Sequence, residues 1–408
     1  MPRGTDPDSA AAERDEARWV GTTGVATAAM AVAMLGPYAV SALGPSLVND
    51  LQLPRSAVGA LVTATFAVAC VASLVAGRVV DVSGPRRGVA VLAGLVLTGL
   101  LAAALAPGYG WLLAALAVIG LALALANPAT NLLVAGRVPG PKRGLAIGVK
   151  QSGVPLSAFA AGLVLPPVAA VAGWRAGMAA AAVLPIVLLI VVWRSVPGDA
   201  PRPDRSGRAR PGLRTSTSAL SPWLAGLMGF SLLLGSGLAT VNTYLPLYAS
   251  QQLELPDAAA GSVLASFGVA GLIARVVWTR LADRLVDVTM ALRWLALAAA
   301  GATVLLALAA EWGTWLVWAG AIGVGATATA ANAVSMLAVL RRGGATGHAS
   351  ALVSLGFFGG FAVGPTSAGL LADHAGWGST WHVVAVVFVA AAAAGALLAR
   401  LARHGASP

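Results

Sequence analysis

Residues 88–136, GVAVLAGLVLTGLLAAALAPGYGWLLAALAVIGLALALANPATNLLVAG, contain no Asp, Glu, Lys or Arg. A membrane helix needs roughly 20 apolar residues, so this run is too long for one span. It breaks once, at Pro107-Gly108-Tyr109-Gly110, a turn signature. It therefore reads as two helices joined by a tight turn. The same reading along the chain predicts twelve spans, near 20–46, 56–79, 88–107, 111–137, 144–169, 175–194, 222–249, 257–280, 290–310, 313–340, 346–372 and 378–400.

Composition demands an apolar solvent. Of 408 residues, 58% are hydrophobic and only 10% charged, where a soluble chain carries about 25% charged residues. The net charge of +11 raises the question of nucleic acid. However, the arginines sit between apolar runs and form no helical stripe, so no nucleic-acid partner is expected. Cys70 is the only cysteine and lies in an apolar run, where it reads as a small packing residue. The acidic and basic mixture before Trp19 is unlike the basic start of a secretory signal and reads as a short disordered tail.

Lys and Arg set the expected orientation. One side collects Arg86, Arg87, Arg137, Lys142, Arg143, Arg194, Arg202, Arg205, Arg208, Arg210, Arg214, Arg284, Arg341 and Arg342, with Arg3, Arg14, Arg18, Arg400 and Arg403 near the termini. The other side has only Arg55 and Arg175. Both termini are thus expected in the cytoplasm of a cell-membrane protein. Residues 196–221 are rich in Pro, Gly, Arg and Ser and read as a flexible linker. They divide the chain into an N-terminal bundle, 1–195, and a C-terminal bundle, 222–408.

The two parts repeat one another at an offset of about 202 residues. Leu51-Gln52-Leu53-Pro54 recurs as Leu253-Glu254-Leu255-Pro256, Gly59 as Gly261, Arg78 as Arg280, and Asp81 as Asp283. Gly153 recurs as Gly356, and Gly173-Trp174 as Gly376-Trp377. The matches fall on charged, Pro and Trp positions, which suggests a duplicated six-helix bundle.

After the second span comes Gly77-Arg78-Val79-Val80-Asp81-Val82-Ser83-Gly84-Pro85-Arg86-Arg87. This resembles the signature of the major facilitator superfamily, with a partial copy from Arg275 through Arg280, Asp283 and Arg284. Val82 departs from it, since the family usually has a basic residue there. The resemblance implies an all-α membrane protein of twelve helices in two pseudo-symmetric six-helix bundles. It also implies that Gly77, Arg78, Asp81, Gly84, Arg86, Arg87, Arg275, Arg280, Asp283 and Arg284 form a conformational gate on the cytoplasmic side. Gly77 is the kind of residue that lets helices approach closely. The fourth span keeps Gly120 and Pro128 of a motif of proton-coupled members but has Leu116 where they place Arg.

No carboxylate sits mid-span, for Asp50, Asp257, Glu311 and Asp373 all lie near the far ends. Carboxylate-based proton coupling is therefore not expected. The four His residues lack metal-ligand spacing, and no Walker loop is present, so no metal, cofactor or enzymatic activity is expected.

Asn is costly in a bilayer unless partnered or facing water. Asn127, Asn131, Asn242 and Asn332 lie in the fourth, seventh and tenth spans, which line the central cavity in the resembled family. Tyr38 and Ser41 stand near Pro37, and Tyr244 lies between Asn242 and Pro246. A membrane Pro frees a carbonyl for a ligand or water. The two Tyr also suit interfacial anchoring.

Lys150, followed by Gln151, lies roughly 9 Å inside the fifth span at about 1.5 Å per residue. It either meets an anionic substrate or snorkels to the surface. The run Lys150-Gln151-Ser152-Gly153-Val154-Pro155 resembles small-anion permeases of the cyanate/nitrate type. The expected function is secondary active transport of a small solute, an organic or inorganic anion, by rocker-switch alternating access. Its expected partners are the lipid bilayer, the small-molecule substrate and a coupling ion of unknown identity, and the expected state is a monomer. An exporter of drugs or natural products and a non-transporting receptor are the alternatives.

Overall fold

The computed structural model describes residues 7–198, 221–282, 288–341 and 347–404. Asp283, Arg284, Arg342 and nearly all of the expected linker lie outside them, as does the side chain of Arg280.

The described chain is helical throughout. α1 (Pro7–Ala42), the short α2 (Gly44–Leu51), α3 (Arg55–Ser83), α4 (Pro85–Ala104) and α5 (Tyr109–Arg137) come first. α6 (Arg143–Gln151), α7 (Gly153–Ala181) and α8 (Val183–Ser195) complete the first part. The second part holds α9 (Pro222–Gln251), α10 (Asp257–Ala282), α11 (Val288–Trp312), α12 (Leu316–Arg341) and α13 (Gly347–His404).

Ten helical segments among the described residues are long and apolar enough to cross a membrane. Two of them, Gly140–Ser195 with 56 residues and Leu352–Leu401 with 50, are each long enough for two crossings. Each bends at a glycine with positive φ, Gly173 at 82° and Gly376 at 78°. A residue with a Cβ is strained there, so the repeated Gly-Trp pair marks a hairpin without a loop. The first predicted span, 20–46, is corrected: α1 ends at Ala42, and Pro45 near the start of α2 begins a separate short helix. The fifth was expected to stop near 169, but the helix runs on to Gly173 despite Pro166 and Pro167.

The repeat extends to backbone conformation. Gln52 and Glu254, matched in the two Leu-x-Leu-Pro stretches, are the two non-glycine residues with positive φ among the described residues, at 49° and 54°. Close packing repeats as well. A Cβ built at Gly153 would strike the α1 backbone at Thr27, and one at Gly356 would strike the α9 backbone at Met228. In each half the matched glycine therefore seats the same kind of crossing.

The two parts meet along two seams. On one, α3 lies against α13: Thr366 donates to Thr63, and Phe66 packs on Phe361 at 4.5 Å between centroids. On the other, α7 lies against α10: Cβ atoms at Gly162 and Gly261 would each strike the other's carbonyl oxygen, and one at Gly268 would strike Phe159. The far end, opposite the arginine-rich loops, is shut. Built Cβ atoms at Gly77, Gly144 and Gly148 meet nothing within 4 Å, and Leu74, Leu145 and Val277 are more than half exposed. Among the described residues, Gly77 has no helix packed against it.

Candidate transport pathway

Lys150 is the last residue but one of α6 and is 0% exposed. It does not snorkel. Its Nζ donates to Thr130 Oγ1 at 2.8 Å and to Asn127 Oδ1 at 3.3 Å, both on α5. Gln151 Nε2 donates to the same Asn127 oxygen at 3.2 Å. The Thr130 hydroxyl in turn donates to the Ala126 carbonyl at 2.6 Å. No carboxylate among the described residues lies within ion-pair distance of Lys150. An ammonium has three donors, so two neutral acceptors leave one direction for a further partner.

The helix breaks beside this cluster for a local reason. Pro155 has no N–H, which leaves the Gln151 carbonyl four residues earlier without its helical donor. Arg275 of α10 takes it, Nη1 to oxygen at 2.8 Å. The same device recurs in the other half. Pro246 frees the Asn242 carbonyl, which accepts from Ser41 Oγ of α1. The carbonyl freed by Pro246, expected to serve a ligand or water, is thus taken by a donor from the opposite part of the chain, as is that of Gln151.

Arg275 was grouped with the gate, yet the structure sets it one residue from Lys150. It is 8% exposed. Asn242 also donates from Nδ2 to Tyr38 Oη at 3.4 Å, while its Oδ1 is buried without a hydrogen bond. A space of about 10 Å³ adjoins Tyr38, Asn242, Phe66 and Phe361, about enough for one water. Asn332 is half-buried, with its Oδ1 likewise lacking a hydrogen bond. Asn131 is exposed, a turn nearer the basic end.

Tyr244 belongs to the far-end closure rather than to the cluster. Its hydroxyl lies 2.8 Å from the Pro365 carbonyl and 3.0 Å from that of Arg55. Around it, Arg55 N–H and Ser56 N–H at the start of α3 donate to Asp373 of α13 at 2.9 and 3.0 Å. The Arg55 guanidinium lies over Trp377 at 4.9 Å and reaches Gln251 and the Ala372 carbonyl. A carboxylate from one part thus caps a helix N-terminus of the other. Sequence reading missed this closure and also missed Thr130. Signals existed: Thr130 is three residues from Asn127, on one helix face, and Asp373 is one of few acids.

At the basic end, Arg78 and Asp81 are exposed and Gly84 is buried. Arg86, expected to clamp the two parts together, stacks on Trp193 at 4.4 Å and donates to its carbonyl at 2.8 Å, within its own part. Arg87 is exposed.

A shut far end and a buried polar cluster between two duplicated bundles are the arrangement of a multi-pass helical membrane protein built by duplication. Comparison with known proteins agrees. The model of the Major Facilitator Superfamily matches residues 24–347 and 255–408. The nucleoside transporter NupG superposes with a TM-score of 0.75 at 14% identity, over 92% of this chain and 99% of that one. A bacterial homologue of the human lysosomal transporter Spinster, solved in an inward-facing and unoccupied conformation, superposes at 0.72 and 16% identity, over 97% and 98%. A D-xylose-proton symporter-like protein of Arabidopsis thaliana is 29% identical over 157 residues, which is 38% of this chain and 31% of that relative's length. The chain belongs to the major facilitator superfamily and is a multi-pass membrane protein, not an enzyme.

Proposed function

We propose that this protein is a secondary transporter that carries a small anion, organic or inorganic, across the cell membrane by rocker-switch alternating access. The observation that carries the reading is the buried ammonium of Lys150, whose described hydrogen bonds go to the neutral Thr130 and Asn127, with Arg275 on the carbonyl of the adjoining Gln151. A buried charge in a bilayer is costly, and an anion arriving between the bundles completes the third donor of Lys150. Asn127, Gln151 and Asn131 offer it amides along the way. The resemblance of Lys150-Gln151-Ser152-Gly153-Val154-Pro155 to small-anion permeases supports the same class.

The arginine-rich loops fit the cytoplasmic face, with both termini on that side. The conformer described here is then inward-facing, as is the solved Spinster homologue. The test is uptake into liposomes by purified protein. Lys150→Gln should raise the half-saturation constant for a monovalent carboxylate at least about tenfold, a loss of roughly 1.4 kcal/mol, and change that of a neutral analogue little. Lys150→Arg should retain part of the activity with altered selectivity, because a guanidinium binds carboxylates as a planar fork. Equal transport by wild type and Lys150→Gln at matched membrane levels removes the anion reading.

A further inference from the structure

A second cavity among the described residues lies away from the Lys150 cluster. A groove of about 1280 Å³ runs along the N-terminal part, between α1, α7 and α8. This exceeds the roughly 300–1,000 Å³ of a small-molecule pocket. Its walls are apolar: Val25, Ala28 and Val32 on one side, Leu156 and Ala160 on a second, and Leu184, Val187 and Val191 on a third. Its mouth has a different chemistry. Arg18, Arg137 and Ser195 line it, and these three residues are themselves ends of apolar spans, Arg18–Ala42, Tyr109–Arg137 and Gly140–Ser195. The mouth therefore stands at headgroup level.

From Arg18 to Val32 the α1 wall is about 21 Å long at about 1.5 Å per residue, somewhat more than the roughly 15 Å half-thickness of a hydrocarbon core. Arg137 is held in place by donating Nη2 to the Pro197 carbonyl at 2.9 Å. Arg18 is exposed. The structure offers a cationic mouth above an apolar slot of acyl-chain depth.

We infer that this groove holds one anionic glycerophospholipid of the leaflet on the arginine-rich side, its phosphate at Arg18 and Arg137 and its chains along α1, α7 and α8. Charge complementarity at the mouth, the depth and the volume select this occupant over a soluble solute. Ser157, 1% exposed with its hydroxyl lacking a hydrogen bond, also lines the slot. It offers a donor to a chain carbonyl that sinks past the mouth.

The experiment uses full-length protein in nanodiscs of mixed phosphatidylglycerol and phosphatidylcholine, followed by native mass spectrometry after delipidation in mild detergent. Wild type should retain one phosphatidylglycerol with at least about tenfold preference over phosphatidylcholine. Arg18→Gln, at the exposed mouth, should lower that preference severalfold. Ala160→Phe fills the slot without touching charge and should abolish the retained lipid, while uptake of the transported anion shows that the protein is folded. Equal retention of the two lipids by wild type overturns the inference. So does undiminished phosphatidylglycerol on folded Ala160→Phe protein.

Discussion

At Lys150 the energetics are those of a charge that has lost water. The amine is held by Thr130 and Asn127, and a hydrogen bond to a charged group is worth about 1.5–3 kcal/mol. Asn127→Leu should therefore lower the melting midpoint in detergent, while the double variant Asn127→Leu/Lys150→Met should recover most of the loss, because it leaves no buried amine unpartnered. Thermal melts of the four proteins check this; losses that simply add would show that the pair is not coupled. Asp50 gives a second expectation, at the far end. Its carboxyl is held below the ordinary Asp range, chiefly by the indole N–H of Trp174 at 2.7 Å and then by Arg175. A depressed carboxylate stabilises the fold above its unfolded pKa, and that contribution fades as pH falls through the lowered value. The difference in melting midpoint between wild type and Trp174→Phe should thus be greatest near neutral pH and shrink in acid. A difference that does not depend on pH would assign Trp174 to packing alone.

Among elements, the far-end seam of α3 and α13 decides which way the molecule opens. Asp373 caps α3 through two N–H groups, and Gly59 and Gly369 sit so close that a Cβ on either would fall 2.3 or 2.2 Å from the Tyr244 hydroxyl. Asp373→Asn should weaken the cap and Gly59→Ala should wedge the seam. Either should shift the population toward the far-end-open form by about tenfold or more, for a loss of at least about 1.4 kcal/mol. A cysteine placed in the far half of the pathway, in a background with Cys70→Ser, should label faster in both variants. Unchanged labelling would mean that the seam is not the gate. These elements were legible in sequence to different degrees. Helix positions followed from uncharged runs such as residues 88–136, because membrane helices need only length and apolarity. The hairpins at Gly173 and Gly376 were visible as a repeated Gly-Trp pair, though not their left-handed backbone. The Asp373 cap was hidden, because it joins residues 318 apart in sequence and depends on how the bundles lean. The Lys150 position was found from its rarity, but its burial against Thr130 depends on the rotation of α6 about its axis, which an apolar pattern on every face does not fix.

On the scale of the whole molecule, the resemblance to the family's signature assigns Asp81 to a clamp at the basic end. Asp81→Asn removes a charge while keeping the side chain's size, so it should weaken the closure of that end by one charge-assisted contact. Labelling of a cysteine in the basic half of the pathway should rise, by up to about tenfold for one such contact. Unchanged labelling in inserted protein would leave Asp81 a topology residue. The two proline-freed carbonyls carry a further consequence, for kinetics. Ser41 and Arg275 each bind a carbonyl belonging to the opposite bundle, so the two bundles are latched together at mid-depth. On the proposed anion reading, cargo competes with the Gln151 carbonyl for the Arg275 donor, since charge-assisted hydrogen bonds are the stronger. Cargo would then loosen a latch that must otherwise break unaided. Exchange of labelled for unlabelled anion should then outpace net efflux into anion-free buffer, and Pro155→Ala, which returns the Gln151 carbonyl to its helix, should narrow the gap. If the two rates are equal in wild type, reorientation of the empty carrier is not what the latch restrains.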